Sequence, residues 1–240
     1  MSRCSSAEEQ VKFMYDNVAN PDFRKELLQM AWDKGDYDEV LRLAGEGVNN
    51  DAQYAGLVSD WHKWKYKAYR ATGDRKNELQ LARHFFFKGG IWGETEYTMQ
   101  SMYSMLKSLV PHEEWGKYAK TLISEAESKK DIVHLLYIYT QEGMWQEYMD
   151  YIRKNPDISN IDKAPIEVKK LFKGEIVKLY ATAVRNYFKH ASNRDSYRES
   201  VECLRKLLKY GGTNEAQQIV TEQKSRTPRR PALIDELSKL

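Results

Sequence analysis

The stretch Leu-Gln-Met-Ala-Trp-Asp-Lys-Gly-Asp-Tyr-Asp-Glu-Val-Leu-Arg-Leu-Ala-Gly, residues 28–45, decides the fold. Apolar residues before and after Gly35 fall at the spacings of two amphipathic helices. Gly35 can adopt the left-handed conformation that ends a helix at little steric cost. Asp36 suits the N-cap of the next helix, because its carboxylate can accept from free backbone N–H groups. The stretch therefore predicts a helical hairpin.

The hairpin pattern recurs along the chain. Turn signals fall at Gly35, Gly73, Pro111, Gly143 and Gly211, with spacings of 38, 38, 32 and 68 residues, the last being about two periods. A period in the thirties built from two helices is typical of stacked helical repeats. No segment shows sustained alternation of apolar and polar residues. We therefore predict an all-α fold, a right-handed α-solenoid of antiparallel helix pairs forming a tetratricopeptide-like superhelix.

The longest interruption of the pattern lies at 156–164. We expect helical-hairpin repeats over 1–155, a break or hinge at 156–164, and C-terminal helices that continue the same array over 165–240. Proline is favoured at the first position of a helix. The spacing of apolar residues therefore predicts one long helix from Pro165 to about residue 191.

Composition limits the class of protein. The chain has 240 residues, of which 12% are aromatic, including six Trp, so it differs from disordered chains. No run of eighteen apolar residues is present, which argues against a membrane span. The N-terminus lacks the apolar core of a signal peptide, and Cys4 and Cys203 show no motif spacing. We therefore expect a cytoplasmic protein, of unknown oligomeric state.

Motifs of catalysis and cofactor binding are missing from the sequence. The five histidines never fall at ligand spacing, which predicts no metal site. Residues 89–93 (Gly-Gly-Ile-Trp-Gly) lack the Lys-Ser/Thr of a phosphate-binding loop, and no Gly-x-Ser-x-Gly is present. We expect no catalytic residues, no cofactor and no enzyme activity. An unrecognised hydrolase is the third hypothesis for function.

Aromatic residues are dense enough to suggest stacking surfaces for a ligand. They occur around Trp61 and Trp64 and again around Tyr103 and Trp115. At helical spacing, such a stripe is more often the seam between repeats. We predict that Tyr66 and Trp92 are the exposed exceptions, and we name them as candidate partner-binding residues.

Positive charge is concentrated near the C-terminus. Residues 163–240 hold seventeen Lys or Arg against nine Asp or Glu, a net charge of +8, whereas the whole chain carries +3. We call the following residues the C-terminal basic cluster: Arg185, Lys189, Arg194, Arg198, Arg205, Lys206, Lys209, Arg226, Arg229 and Arg230. The cluster could bind an acidic peptide or a nucleic-acid backbone, although it is interrupted by Asp195, Glu199 and Glu202. The ordinary alternative is that these residues form solvent-exposed helix surface that binds no partner. Arg185, Lys189, Arg229 and Arg230 are its candidate partner-binding residues.

The ending Thr227-Pro-Arg-Arg-Pro-Ala-Leu-Ile-Asp-Glu-Leu237 resembles the C-terminal end of bacterial SWIM zinc-finger proteins. The turns at Lys34–Tyr37, Ala71–Asp74 and Tyr139–Trp145 are similar as well. The defining zinc element of that family, Cys-x-Cys followed by Cys-x-His, is missing, because Cys4 and Cys203 cannot supply it. The resemblance therefore implies the family's helical array and a role in protein interaction, without its zinc or zinc-linked DNA binding. The chain would be that half alone or a fragment of a longer product.

The functional hypothesis from the sequence is a non-enzymatic helical-repeat scaffold that binds a protein or peptide partner. The alternative is an accessory nucleic-acid-binding module that uses the basic C-terminal third. No membrane partner is expected.

Overall fold

The structure is a computed structural model that describes residues 6–88 and 95–240. Within these ranges there are fifteen α-helices, one short 3-10 helix and no strand, so the all-α prediction is confirmed. The superhelical arrangement stays a prediction. The chain divides into two compact units, one ending at Thr121 and one beginning at Leu122.

The helices of the first unit are consecutive neighbours in space. They are α1 (Ala7–Asp16), α2 (Pro21–Asp33), α3 (Tyr37–Asn50), α4 (Ala55–Thr72), α5 (Arg75–Phe87), the 3-10 helix Thr95–Tyr97, and α6 (Met99–Leu109). The division between the units falls within α7 (His112–Ser128). From α1 to α6, each α-helix packs against the next one along the chain. α1 differs from the others because it contains no buried residue.

The second unit is less regular. Its helices are α8 (Ile132–Gln141), α9 (Trp145–Lys154), α10 (Ile158–Lys163), α11 (Ile166–Leu171), α12 (Lys173–His190), α13 (Arg194–Lys209), α14 (Thr213–Lys224) and α15 (Pro231–Leu237). α12 packs against α10, α11, α13 and α14, and α13 also contacts α14 and α15. The predicted break at 156–164 contains α10, whose Ile158 and Ile161 are buried. The predicted domain boundaries stay a prediction.

The hairpin turn between α2 and α3 has the predicted chemistry. Gly35 adopts φ +72°, and the Asp36 N–H donates to the Ala31 carbonyl at 2.9 Å, as in a Schellman motif. The Asp36 carboxylate then accepts from the Glu39 N–H at 3.1 Å and caps α3. Positive φ recurs at the three other predicted glycine turns, residues 73, 143 and 211.

The single helix predicted from Pro165 to about residue 191 is wrong. Pro165 is extended, with ψ 152°, and precedes α11; Phe172 (φ −112°, ψ 28°) separates α11 from α12. Val168 is buried, but Leu171 is 64% exposed, so the predicted apolar stripe does not continue through the break. The guanidinium of Arg153 on α9 lies 5.8 Å from the Phe172 ring centroid, a contact with a distant part of the chain.

Trp61 lies at the centre of the first unit and has no exposed surface. Its indole packs on Gly47 of α3, where a Cβ atom would lie 2.9 Å from Cγ, Cδ1 and Cδ2 of the ring. The indole Nε1 donates to the Asp51 carboxylate at 2.7 Å. The guanidinium of the buried Arg24 lies 5.9 Å from the ring centroid, and its Nη1 donates to the Leu43 carbonyl at 2.8 Å. The indole therefore contacts both α2 and α3.

Glu236 joins the last helix to α13. Its side chain is almost fully buried, and its Oε1 lies 2.8 Å from Nε of Arg194 and 3.0 Å from Nζ of Lys239. These two hydrogen bonds, the one from Arg194 being the stronger influence, lower the pKa of Glu236 to about 2. Glu236 is therefore held as a charged carboxylate in the folded second unit.

We predict that Gly47→Ala destabilises the chain. The added methyl group would overlap an indole that is buried on all sides, and such overpacking costs about 1–3 kcal/mol. The matched control is Gly45→Ala, two residues earlier in α3, where an added Cβ meets nothing within 4 Å. Because Ala favours helix over Gly, this control should raise the free energy of unfolding by about 0.5–1 kcal/mol. Urea unfolding followed by circular dichroism measures both; equal effects would contradict the packing role of Gly47.

We predict that the free energy of unfolding falls in acid because Glu236 becomes protonated and loses its stabilising contribution. The native pKa is below that of the unfolded chain, so its stabilising contribution is complete above pH 4.5 and is lost as the pH falls towards 2. Glu236→Gln should lower stability at pH 7 and flatten the dependence on pH in this window. Glu199→Gln, at an exposed position of α13, is the control. Urea midpoints between pH 7 and pH 2 test this, and equal pH profiles for the two variants would refute it.

Candidate partner-binding site

A groove of about 500 Å³ runs between α2 and α4 in the first unit. We call it the tryptophan groove; it is lined by Gln29, Trp32, Trp64, Lys67, Arg70, Ala71 and Glu96. On α4, Trp64, Lys67 and Ala71 share one helical face, because three or four residues make one turn. Two consecutive hairpins therefore supply the walls, the first through α2 and the second through α4.

Aromatic side chains form the centre of the groove. Trp32 stands at the end of α2, and its ring centroid lies 6.1 Å from that of Trp64 in an edge-to-face arrangement. Tyr37, the first residue of α3, lies 5.3 Å from Trp32 and supports it from behind the Gly35 turn. All three rings are half-buried. They combine a fixed position with accessible apolar surface.

Two basic residues line the groove, and one of them lies beside an indole. Nζ of Lys67 lies 5.4 Å from the Trp64 ring centroid, within cation–π range. Among the described residues, no ion pair engages Lys67. Arg70 differs, since it lies 3.6 Å from a carboxylate oxygen of Glu78 and 3.6 Å from one of Glu96. Of the two cations among the described lining residues, Lys67 is thus the one without an ion pair.

The groove presents aromatic rings, a cation and polar side chains to solvent. Half-exposed Trp residues beside a cation are typical of the few residues that dominate the energy of an interface. Gln29, whose Nε2 donates to Asp33 at 2.7 Å, adds a polar side chain to the lining of the groove. Within the described chain, no three His, Cys, Asp or Glu side chains form a group that could hold a metal ion.

The predicted exposure of Tyr66 is wrong. Tyr66 is only 1% exposed, because its ring packs edge-on against Phe85 and Tyr97 at centroid distances of 5.8 and 6.0 Å. Burial raises the pKa of its hydroxyl to about 12. Tyr66 therefore belongs to the contact between α4 and α5, and the groove lies on another face of α4. Trp92, the second aromatic candidate, lies outside the described residues.

The four basic candidates differ in their surroundings. Arg185 donates to Glu222 from Nε at 3.0 Å, which joins α12 to α14. Arg230 donates to the Ala191 carbonyl at 3.1 Å and lies over the Tyr197 ring. Lys189 and Arg229 are exposed. Two of the candidates therefore have structural contacts, and two remain open to solvent.

Much of the remaining C-terminal basic cluster is neutralised within its own unit. Arg194 pairs with Asp235 and Glu236, and Arg198 with Asp195 and Glu236. Arg205 pairs with Glu202, and Lys206 with Asp162 at 2.7 Å. The pairs with Asp162, Asp235 and Glu236 join different helices, and all of these ion pairs weaken the positive field that a nucleic acid would meet.

Sequence reasoning assigned Trp64 to the core and did not name Trp32, Lys67 or Arg70 as site residues. A signal was available, because Lys67 follows Trp64 by three residues and so lies beside its ring on the same helical face. The contribution of Trp32 could not be read from sequence, since it depends on how α2 and α4 pack.

The relation to SWIM zinc-finger proteins stays a prediction from the C-terminal ending and the turns that resemble theirs. None of the helices in the described ranges is long and apolar enough to cross a membrane. Comparison with protein-family models, with curated proteins and with solved structures gives no significant match to this chain.

Proposed function

We propose that this chain is a non-enzymatic, tetratricopeptide-like scaffold that binds a protein or peptide partner in the tryptophan groove. The observation that carries the proposal is the half-buried pair Trp32 and Trp64, placed between two consecutive hairpins with Lys67 beside it. We propose that the chain binds this partner in the cytoplasm. The resemblance to the helical array of SWIM proteins supports an interaction role.

Covering the exposed faces of the two indoles favours binding. Each exposes apolar surface to water, and covering it contributes about 25 cal/mol per Å². Trp32 and Trp64 are already held by their mutual contact and by Tyr37, so little side-chain freedom is lost when a partner binds. An extended segment with an apolar side chain against the indoles fits such a groove.

We predict that Trp64→Ala weakens peptide binding by about ten- to a hundredfold, the range expected for an interface hot spot. Peptides selected from a displayed random library on the full chain supply the probe, and fluorescence anisotropy of the synthesised peptides gives the affinity. Lys67→Gln should weaken binding less, because it removes only the cation and leaves the indoles in place.

The matched control is Tyr54→Ala, which removes an aromatic side chain that is 55% exposed in the same unit but does not line the groove. Circular dichroism verifies that each variant is folded. Peptides that bind Trp64→Ala as tightly as the unaltered chain would place the site elsewhere. A selection that enriches no peptide over a bare support would count against peptide binding.

The alternative function is an accessory nucleic-acid-binding module. Its support is the set of cluster residues that have no carboxylate partner in the described part of the chain: Lys189, Lys209, Arg226 and Arg229. The other cluster residues have ion pairs or other contacts that leave less positive charge for a nucleic acid, so this function is the second candidate.

For this alternative we predict weak, salt-sensitive binding of a short DNA duplex. Four phosphate contacts give a slope of about −3.6 for log K against log salt. Replacing Lys189 and Arg229 together by Gln should reduce the slope by about 1.8. Arg185→Gln is the control, because Glu222 already neutralises that charge. Titrations between about 50 and 200 mM salt measure the slope; no binding at the lowest salt would remove the alternative.

A further inference from the structure

Two aliphatic side chains of the second unit lie exposed where the chain breaks between α11 and α12. Ile166 is 56% exposed and Leu171 is 64% exposed. Both belong to α11, where positions 166, 167, 170 and 171 span about 140° of the helix circumference. Val168 points to the other side and is buried. Because covering aliphatic surface is favourable, the exposed side of α11 gains free energy when a partner packs on it.

Contacts with α10 and with the end of α13 fix the position of α11. Nζ of Lys169 donates to the Asp162 backbone carbonyl at 2.6 Å and lies 5.7 Å from the Tyr210 ring centroid. The Asp162 carboxylate in turn accepts from Nζ of Lys206 at 2.7 Å and from the Tyr210 hydroxyl at 3.0 Å. The backbone of α11 is therefore held in place before binding, so less order has to be gained when a partner binds.

The charge around the two aliphatic side chains is positive. Residues 163–173 contain four Lys and one Glu. Three of these lysines are exposed and have no ion pair within the described part of the chain. Such uncompensated charge attracts an acidic partner. We call the two aliphatic residues and these lysines the α11 surface: Lys163, Ile166, Lys170, Leu171 and Lys173.

Glu167 distinguishes between the classes of acidic partner. It is exposed on the same side of α11 as Ile166 and Leu171. An anionic membrane would repel this carboxylate at the place where the aliphatic side chains have to insert. Nucleic-acid phosphates would repel it too, and they would leave the aliphatic side chains uncovered. A protein segment can meet the lysines with carboxylates, the aliphatic side chains with apolar ones, and Glu167 with a polar or basic group.

We propose that the α11 surface binds an acidic segment of a protein partner, in which apolar side chains lie between Asp or Glu residues. The apolar side chains cover Ile166 and Leu171, and the carboxylates pair with the three lysine ammonium groups. The α11 surface consists only of residues of the second unit, so the proposal does not depend on the tryptophan groove.

The probe is a fluorescein-labelled synthetic peptide in which leucines at helical spacing are separated by glutamates. Fluorescence anisotropy with the full chain at low salt should show saturable binding. Two counterparts, with Gln in place of Glu or Ser in place of Leu, should each bind about tenfold more weakly or worse, because one lacks the charges and the other the apolar surface. No saturable binding of the probe, or equal affinity for the Gln counterpart, would overturn the proposal.

Variants locate the binding, and circular dichroism verifies that each is folded. Leu171→Ser should weaken probe binding about five- to thirtyfold, because the aliphatic surface that the partner covers is removed. Val133→Ser is its matched control, since this side chain is 67% exposed in the same unit but belongs to α8. Lys170→Gln should weaken binding about two- to fivefold, as expected for an exposed ion pair. Lys224→Gln, exposed at the end of α14, should leave it unchanged. Equal losses in a variant and its control would contradict the proposed contacts.

Vesicles of phosphatidylcholine and phosphatidylserine in equal amounts test the membrane as the partner instead. We expect the chain to stay in the supernatant when these vesicles are sedimented, because Glu167 opposes insertion of the α11 surface. Sedimentation with the vesicles that Leu171→Ser abolishes would assign the α11 surface to a membrane and would overturn the proposal.

Discussion

The close contact between the Trp61 indole and Gly47 joins α4 to α3 in the core that these helices share with α2. Because Gly47 has no side chain, the ring can lie directly on the backbone of α3, and Asp51 fixes its orientation through the indole N–H. The buried Arg24 then brings α2 to the same ring. Both walls of the tryptophan groove belong to α2 and α4, so this internal contact determines how far apart Trp32 and Trp64 stand.

Burying Arg24 is costly unless its charge is compensated. Nη1 donates to the Leu43 carbonyl, and a carboxylate oxygen of Glu46 lies 3.8 Å away. Face contact with Trp61 adds cation–π attraction. These contacts reach from α2 to α3 and α4, which explains how three helices of modest apolar content keep one arrangement. The second unit uses another device, ion pairs such as Arg194–Glu236 that join helices distant in sequence.

Features with a local cause could be predicted from the sequence, whereas features that depend on packing between distant residues could not. The turn at Gly35 was predictable, since glycine followed by Asp has a local steric and capping cause. The break at Phe172 was not predictable, because apolar residues keep helical spacing through it in the sequence, although Leu171 is exposed in the structure. Lys130 adopts φ 54°, which no sequence signal indicates. The burial of Tyr66 depends on Phe85 and Tyr97, which only the packed structure brings against it.

The lack of buried residues in α1 has a consequence for local motion. Val11 and Met14 rest on the core of the first unit only partly buried, so detaching this helix exposes little apolar surface. Local opening therefore costs much less than unfolding the unit. We therefore expect backbone amides of α1 to exchange with deuterium through this local opening, whereas amides around Trp61 should exchange only when the unit unfolds. Backbone amides of one compact unit should thus fall into two classes, one protected weakly and one protected strongly against hydrogen exchange.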